Sequence, residues 1–339
     1  MTTRARTRTG DRRGTPVPGA PNDQRVGSAA AGARPRRAVI APIMRWGANR
    51  PLWMLIPCAV AMALVVLIPV ILTVVLSVLN LNIGTLHEWL GAPFAGLSNY
   101  IGAFTHPSVI TAGAGTAILL SLGFSLLTTI VITPLGVLAA ISVHRPFPGR
   151  AVVRALYLVP YVIPTFVTAL IARIMFLNHD GLVDKVLAAL HIAGVNTYWL
   201  IGPHAFWAMT LTEIWAAWPF IYLMTLAGLQ SVPHEQYEAA VLDGARPAQT
   251  LRRVVLPQIS GILKLAVLLS TLYHLGNFTL AYVMFSSPPP QSVDVLPIDT
   301  YYRAFSNYDF GVASAIAIIT MVILLVPGYV YLRMTRMSD

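Results

Sequence analysis

Apolar residues gather along this chain into six runs, each long enough for a helix that crosses a bilayer and each bounded by a short polar stretch. The runs place spans at Trp53 to Leu79, Ile110 to Ile141, Ala155 to Leu177, Pro203 to Leu229, Ile259 to Phe285 and Phe310 to Leu332. The first is about 40 Å long as a helix at ~1.5 Å per residue, so tilt or kinks at Pro57 and Pro69 must absorb the excess over a ~30 Å hydrocarbon core. Pro160 and Pro164 in the third span free backbone carbonyls, which is tolerated only against protein or a wet cavity, so this helix is expected to face inward. The pattern predicts an all-α membrane protein with six transmembrane helices.

One polar insert breaks the second half of the chain, Ser231 to Gln258. Ser231 and Pro233 are start signals, and a first helix can run from His234 to Asp243 before Gly244 stops it. A second can begin near Pro247 and end at Leu256-Pro257, where proline forbids continuation. Helices of about ten residues are marginal alone, so this hairpin is expected to be docked on something.

Polar residues also fall inside two apolar runs. Ser270, Tyr273, His274 and Asn277 sit at i, i+3, i+4 and i+7 and so share one face of the fifth span. In the fourth, Glu213 is the acidic residue well inside a span, and Ala216, Ala217 and Phe220 continue its face. Polar groups in hydrocarbon cost several kcal/mol unless paired or wetted, so a shared aqueous cavity between the two helices is the economical expectation. Other readings stand beside it. Ser270 and Asn277 could be interhelical hydrogen-bond glue, Tyr273, Trp215, Trp218 and Phe220 could be packing or interface residues, and Glu213 could pair with Arg173.

Composition supports the membrane reading: 56% of the 339 residues are hydrophobic and 11% charged, with mean hydropathy +0.68. The net charge of +10 raises the question of nucleic acid, and its distribution answers it. Of 23 basic residues, eleven precede Pro51, three lie between His144 and Arg154, four in the insert through Lys264 and two after Leu332. Basic residues on alternate connections are the positive-inside signature, which puts both termini and the insert in the cytoplasm and requires no nucleic acid. Residues 1–50, rich in Arg, Gly, Pro and Ala, are expected to form a disordered basic cytoplasmic tail ahead of a permease domain at 51–339. The lone Cys58 excludes an internal disulfide and a cysteine-based metal cluster.

Within the insert, Glu238-Ala239-Ala240, then Asp243-Gly244-Ala245, then Leu256-Pro257 resemble the EAA loop of membrane subunits of bacterial ABC importers, and Val232-Pro233 and Gln236-Tyr237 are similar to the carbohydrate-uptake branch typified by the larger permease of the maltose importer. Gly96 to Tyr100 is similar to a segment at the same place in that branch. The resemblance implies a type I ABC importer permease fold in the bacterial plasma (inner) membrane. It implies that Glu238, Ala239, Ala240, Asp243, Gly244, Leu256 and Pro257 couple the chain to an ATPase. The expected partners are a second permease in a heterodimer, two ATPase subunits and an extracytoplasmic substrate-binding protein. It also implies that the sugar-lining positions fall at Glu213, Ala216, Ala217 and Phe220 and at Ser270, Tyr273, His274 and Asn277. The acid at 213 and the histidine at 274 depart from the maltose pattern, and Ser286-Ser287-Pro288-Pro289-Pro290 stands where relatives often carry a glycine-rich turn.

No G-x-x-x-x-G-K-[ST] occurs, so ATP and Mg are expected on partner ATPase subunits and no cofactor on this chain, a non-catalytic permease. His234 to Glu238 fails the H-E-x-x-H zinc pattern at its fifth residue, and no metal site is expected. The function expected is import of a sugar or oligosaccharide by alternating access. The alternatives are the same importer class with a polyol or glycerol-phosphate-type cargo, a proton-coupled carrier using Glu213 and His274, and a membrane enzyme, which would need clustered acids that the sequence does not display.

Overall fold

A computed structural model describes residues 55–107, 111–191, 197–285 and 287–336. The expected tail, the start of the first span at Trp53 and of the second at Ile110 lie outside them. The chain divides into Met1–Pro57 and Cys58–Asp339, and the architecture described here is that of the second unit. Among the described residues it is helical, with isolated bridges at Leu79–Phe94 and Asn82–Asp309 and no strand.

In chain order the helices are α1 (Ile56–Ser77), α2 (Ser98–Thr105), α3 (Ala114–Ser142), α4 (Arg150–Val162), α5 (Thr165–Met175), α6 (Leu182–Ala189), α7 (His204–Ser231), α8 (His234–Leu242), α9 (Pro247–Gln258), α10 (Ser260–Leu275), α11 (Thr279–Met284), α12 (Leu296–Phe305) and α13 (Phe310–Arg336). By length and composition α1, α3 and α13 each suffice to cross a membrane, and the bent pairs α4–α5 and α9–α10 raise the number to five if each is one span. The sixth long helix is α7, with 28 residues; its apolar content is diluted by Glu213, threonines and tryptophans.

Two expected spans are broken. The third bends by 88° between α4 and α5, where Pro164 takes an extended ψ of 139° and cannot continue the helix before it. The fifth ends at Leu275 and restarts at Thr279, so Asn277 lies in the break rather than on a helical face. A continuous helix from Ile259 to Phe285 is therefore not what forms.

The core is built around α3 against α7, the most extensive helix pair. It requires glycine at 136: a Cβ there would lie 2.6 Å from Ile221 Cβ and 2.7 Å from the Tyr222 nitrogen. Small residues at such crossings let helix backbones approach without a hydrophobic driving force. Gly96 to Tyr100 has a local role. Asn99 Nδ2 donates to the carbonyls of Ser77 (2.9 Å) and Leu79 (2.8 Å), satisfying acceptors that the end of α1 leaves open, and Tyr100 Oη lies 2.8 Å from Ser77 Oγ.

Candidate functional site

Where α4, α5, α7 and α10 meet, a cavity of about 290 Å³ is lined by Pro160, Tyr161, Ile163, Thr165, Thr168, Glu213, Ala216, Ala217, Phe220, Leu269, Ser270, Tyr273, His274 and Leu280. The helical spacing brings Glu213, Ala216, Ala217 and Phe220 from α7 opposite Ser270, Tyr273 and His274 from α10. Asn277 is not part of the wall. Its Nδ2 donates to Glu213 Oε2 (3.1 Å) and its Oδ1 accepts from the Leu280 amide (3.3 Å), so it pins the break and starts α11.

Glu213 is buried: its Oε2 accepts from Asn277, and its Oε1 lies 3.1 Å from His274 Nδ1, within ion-pair distance but without hydrogen-bond geometry. The alternative partner Arg173 is exposed near the end of α5. Glu213 is therefore an organiser of the wall, holding the side chains of the α10 end in place. The His274 ring is braced edge-on by Phe124 at 6.2 Å and Tyr273 at 5.5 Å. Its Nδ1 and Nε2, like Thr168 Oγ1, are buried with no hydrogen-bond partner in the protein. Buried polar atoms ordinarily find a partner, and both residues belong to the cavity lining. Tyr273 Oη is 3.3 Å from Thr165 Oγ1, and Phe220 lies 6.3 Å from the Tyr161 ring.

The α4–α5 contributors Tyr161, Thr165 and Thr168 were not singled out from the sequence, although the paired prolines were a signal that this segment faces inward. Trp218 packs against Tyr157 and Tyr222 in a separate core cluster, and Trp215 is exposed.

The second site is the hairpin. α8 ends at Leu242, and Gly244 adopts φ +74°, which lets Ala245 N donate back to Ala240 O at 2.9 Å. Arg246 N donates to Gln249 Oε1 (2.8 Å) at the start of α9. Glu238, Ala239, Asp243, Gly244 and Pro257 are exposed, Leu256 is half-buried, and Ala240 is buried. Ala240 thus faces the rest of the chain, while Val241 and Leu242, 68% and 87% exposed, are the apolar residues that α8 presents outward. Glu238 lies 3.1 Å from His234, one turn earlier.

The base of the hairpin is fastened to the bundle. Val255, Ile259, Leu251 and Tyr237 join Tyr222, Leu226 and Leu229 of α7 and Ala140 and Val143 at the end of α3 in one apolar cluster. Tyr237 stacks on His144 (5.9 Å, 26°), with Tyr237 Oη 3.5 Å from Nε2. Burial, then Arg150, Arg145 and Arg154, lower the His144 pKa, and burial raises that of Tyr237. The basic loop after α3 and the hairpin therefore share one end of the bundle.

Residues 132–336 match the family of binding-protein-dependent transport system inner membrane components. The chain is 30% identical over 292 residues to the trehalose/maltose transport system permease protein MalF of Thermococcus litoralis, covering 84% of this chain and 92% of that one. It is 30% identical over 287 residues to the sulfoquinovosyl glycerol transport system permease protein SmoG of Agrobacterium fabrum, covering 84% and 90%. Its fold is similar to a chain of a bacterial alginate ABC transporter solved with an alginate pentasaccharide-bound periplasmic protein, at a TM-score of 0.70 and 20% identity over 84% of this chain and 93% of that one.

Proposed function

Because this chain belongs to the family of binding-protein-dependent transport system inner membrane components, we propose that it is the permease of an ATP-driven importer that carries a sugar or oligosaccharide by alternating access. As an inner-membrane component it is non-catalytic and works with another permease, an ATPase and a binding protein. Our finer reading is a heterodimeric permease with two ATPase copies that hold ATP and Mg, both termini of this chain being cytoplasmic.

One observation carries the cargo: a cavity whose wall offers ring faces at Phe220 and Tyr273, a hydroxyl at Ser270, and two buried atoms without protein partners, His274 Nε2 and Thr168 Oγ1. A saccharide needs hydroxyl-directed polar groups and an apolar face to stack on. Two relatives are named for saccharide transport, of trehalose or maltose and of the sulfonated sulfoquinovosyl glycerol, and the neutral member of that pair suits this lining better. The lining includes Glu213 and no Lys or Arg, which disfavours a phosphorylated or otherwise anionic cargo.

The route for coupling is direct, since the hairpin joins α7 to α10, the two helices that supply most of the cavity wall. ATPase closure acting on the exposed side of α8 and on Pro257 would move both walls together. The test is saccharide-stimulated ATPase activity and uptake of labelled trehalose and maltose in proteoliposomes containing the assembled importer. His274→Phe and Thr168→Val should abolish uptake while the ATPase still copurifies. Full uptake in both variants would overturn the site.

A further inference from the structure

A second pocket, of about 420 Å³, opens beside the break between α10 and α11 and is lined by Gly276, Phe278, Thr300, Tyr301, Phe305 and Thr320 with neighbouring alanines and a proline. Three rings line it, Phe278, Tyr301 and Phe305, and a fourth, Tyr282, packs against the first two from beside the pocket. Phe278 stacks on Tyr282 at 4.8 Å and 23°, Tyr301 lies 5.1 Å from Phe278 and 5.0 Å from Tyr282, and Phe305 follows at 5.1 Å. The Tyr282 and Tyr301 hydroxyls are 3.3 Å apart on the exposed surface. No charged residue is among those lining it.

We infer that this aromatic pocket is an outer saccharide site that holds a further sugar unit of a chain whose first unit occupies the central cavity. The inference rests on the reading of the cargo as a saccharide and adds that the cargo has at least two or three units.

Three observations support it. First, the two pockets adjoin along the chain: Leu265, Leu269 and Tyr273 form an exposed row at i, i+4 and i+8 on α10, Tyr273 belongs to the central cavity, and Gly276, exposed three residues later where the break begins, belongs to the outer pocket. Second, the chemistry suits a neutral ring. Aromatic faces take the apolar side of a pyranose, and the paired tyrosine hydroxyls and the threonines accept or donate to its rim. A phosphorylated or cationic group would find no counter-charge there. Third, the rings are already ordered against one another, so little side-chain entropy remains to be lost on binding. Phe305 is 61% exposed and Tyr282 41% exposed, an area of aromatic surface that a ligand would cover.

The competing occupant is the second permease, and the test separates the two. Proteoliposomes holding the complete importer are assayed for import of glucose, trehalose, maltose, maltotriose and maltotetraose by the natural chain, Phe278→Leu and Tyr282→Phe. An aromatic contact contributes ~0.5–1.5 kcal/mol beyond its buried area, which is about a two- to tenfold effect. Phe278→Leu should lower import of maltotriose and maltotetraose by that factor more than import of maltose. Tyr282→Phe, which keeps the ring, should shift the same ratio less and leaves the fold undisturbed should Phe278→Leu misassemble. An unchanged ratio in both variants overturns the outer site while leaving the central one standing. Equal loss for every saccharide, with loss of the second permease on copurification, makes the patch a subunit interface and also overturns it. If the natural chain imports none of the five, the saccharide reading itself fails.

Discussion

Asn277 Nδ2 stands 3.1 Å from Glu213 Oε2 and so ties the break after α10 to the middle of α7. Both residues are buried, and a buried polar group stripped of its partner costs about 1–3 kcal/mol. Asn277→Ala should therefore lower the melting temperature of the purified importer and abolish uptake while the ATPase still copurifies. Glu213→Ala strands two partners, Asn277 and His274, and should be the more damaging. If the Glu213→Ala/Asn277→Ala double variant loses as much stability as the two singles added together, the residues act independently and the tie is unimportant; a loss smaller than that sum is the signature of the tie.

Gly136 admits the backbone of α7. A methyl at this position would have to displace Ile221 and Tyr222, both fully buried, and overpacking of this kind costs about 1–3 kcal/mol. Gly136→Val should reduce the yield of folded protein and its melting temperature in detergent. Gly261→Ala, where a Cβ meets nothing within 4 Å, is the control and should change neither.

On the hairpin, Leu242 is 87% exposed and adjoins exposed Val241, Asp243 and Gly244. Leu242→Asp should leave the melting temperature of the isolated chain within error, since surface substitutions rarely exceed about 0.5 kcal/mol, yet reduce copurification of the ATPase and the saccharide-stimulated ATPase rate. A variant that assembles and hydrolyses normally would show that α8 is gripped elsewhere.

Much of this arrangement was legible in the chain itself. The six apolar runs and the hairpin were, because hydrophobic length, proline and glycine punctuation and charge placement act locally. So was the facing of Glu213 toward Ser270 and His274, which helical periodicity determines. The break at Gly276 to Phe278 was not, because the contacts that stabilise it, Asn277 to Glu213 and to the Leu280 amide, span from three to 64 positions along the chain. That break removes Asn277 from the wall on which its i+7 spacing had put it. The short helices α2, α6 and α12 are not legible as spans because each has only eight to ten residues. Ala240 turns inward, since the side of α8 that packs on the bundle is chosen by Tyr237 against His144.

Asp294, in the loop between α11 and α12, gives a pH dependence with a definite sign. It is 1% exposed, and burial, then Asp299, raise its pKa from 3.8 to about 8 against the opposing pull of the Ala112 amide, whose N–H donates to Oδ2 at 2.7 Å, and of Arg303. The folded chain keeps this carboxyl protonated at neutral pH, whereas the unfolded chain ionises it near the ordinary value of 3.8. Its contribution to stability is therefore full below about pH 4 and is lost progressively as pH rises to about 8, after which both states are ionised. Asp294→Asn has an amide that stays neutral and can still accept from Ala112. Thermal melts of the two forms across this window should show the natural chain losing stability relative to the variant as pH increases. Parallel curves would mean that the carboxyl is already ionised in the folded protein, balanced by Arg303 beside the Asp299 pair.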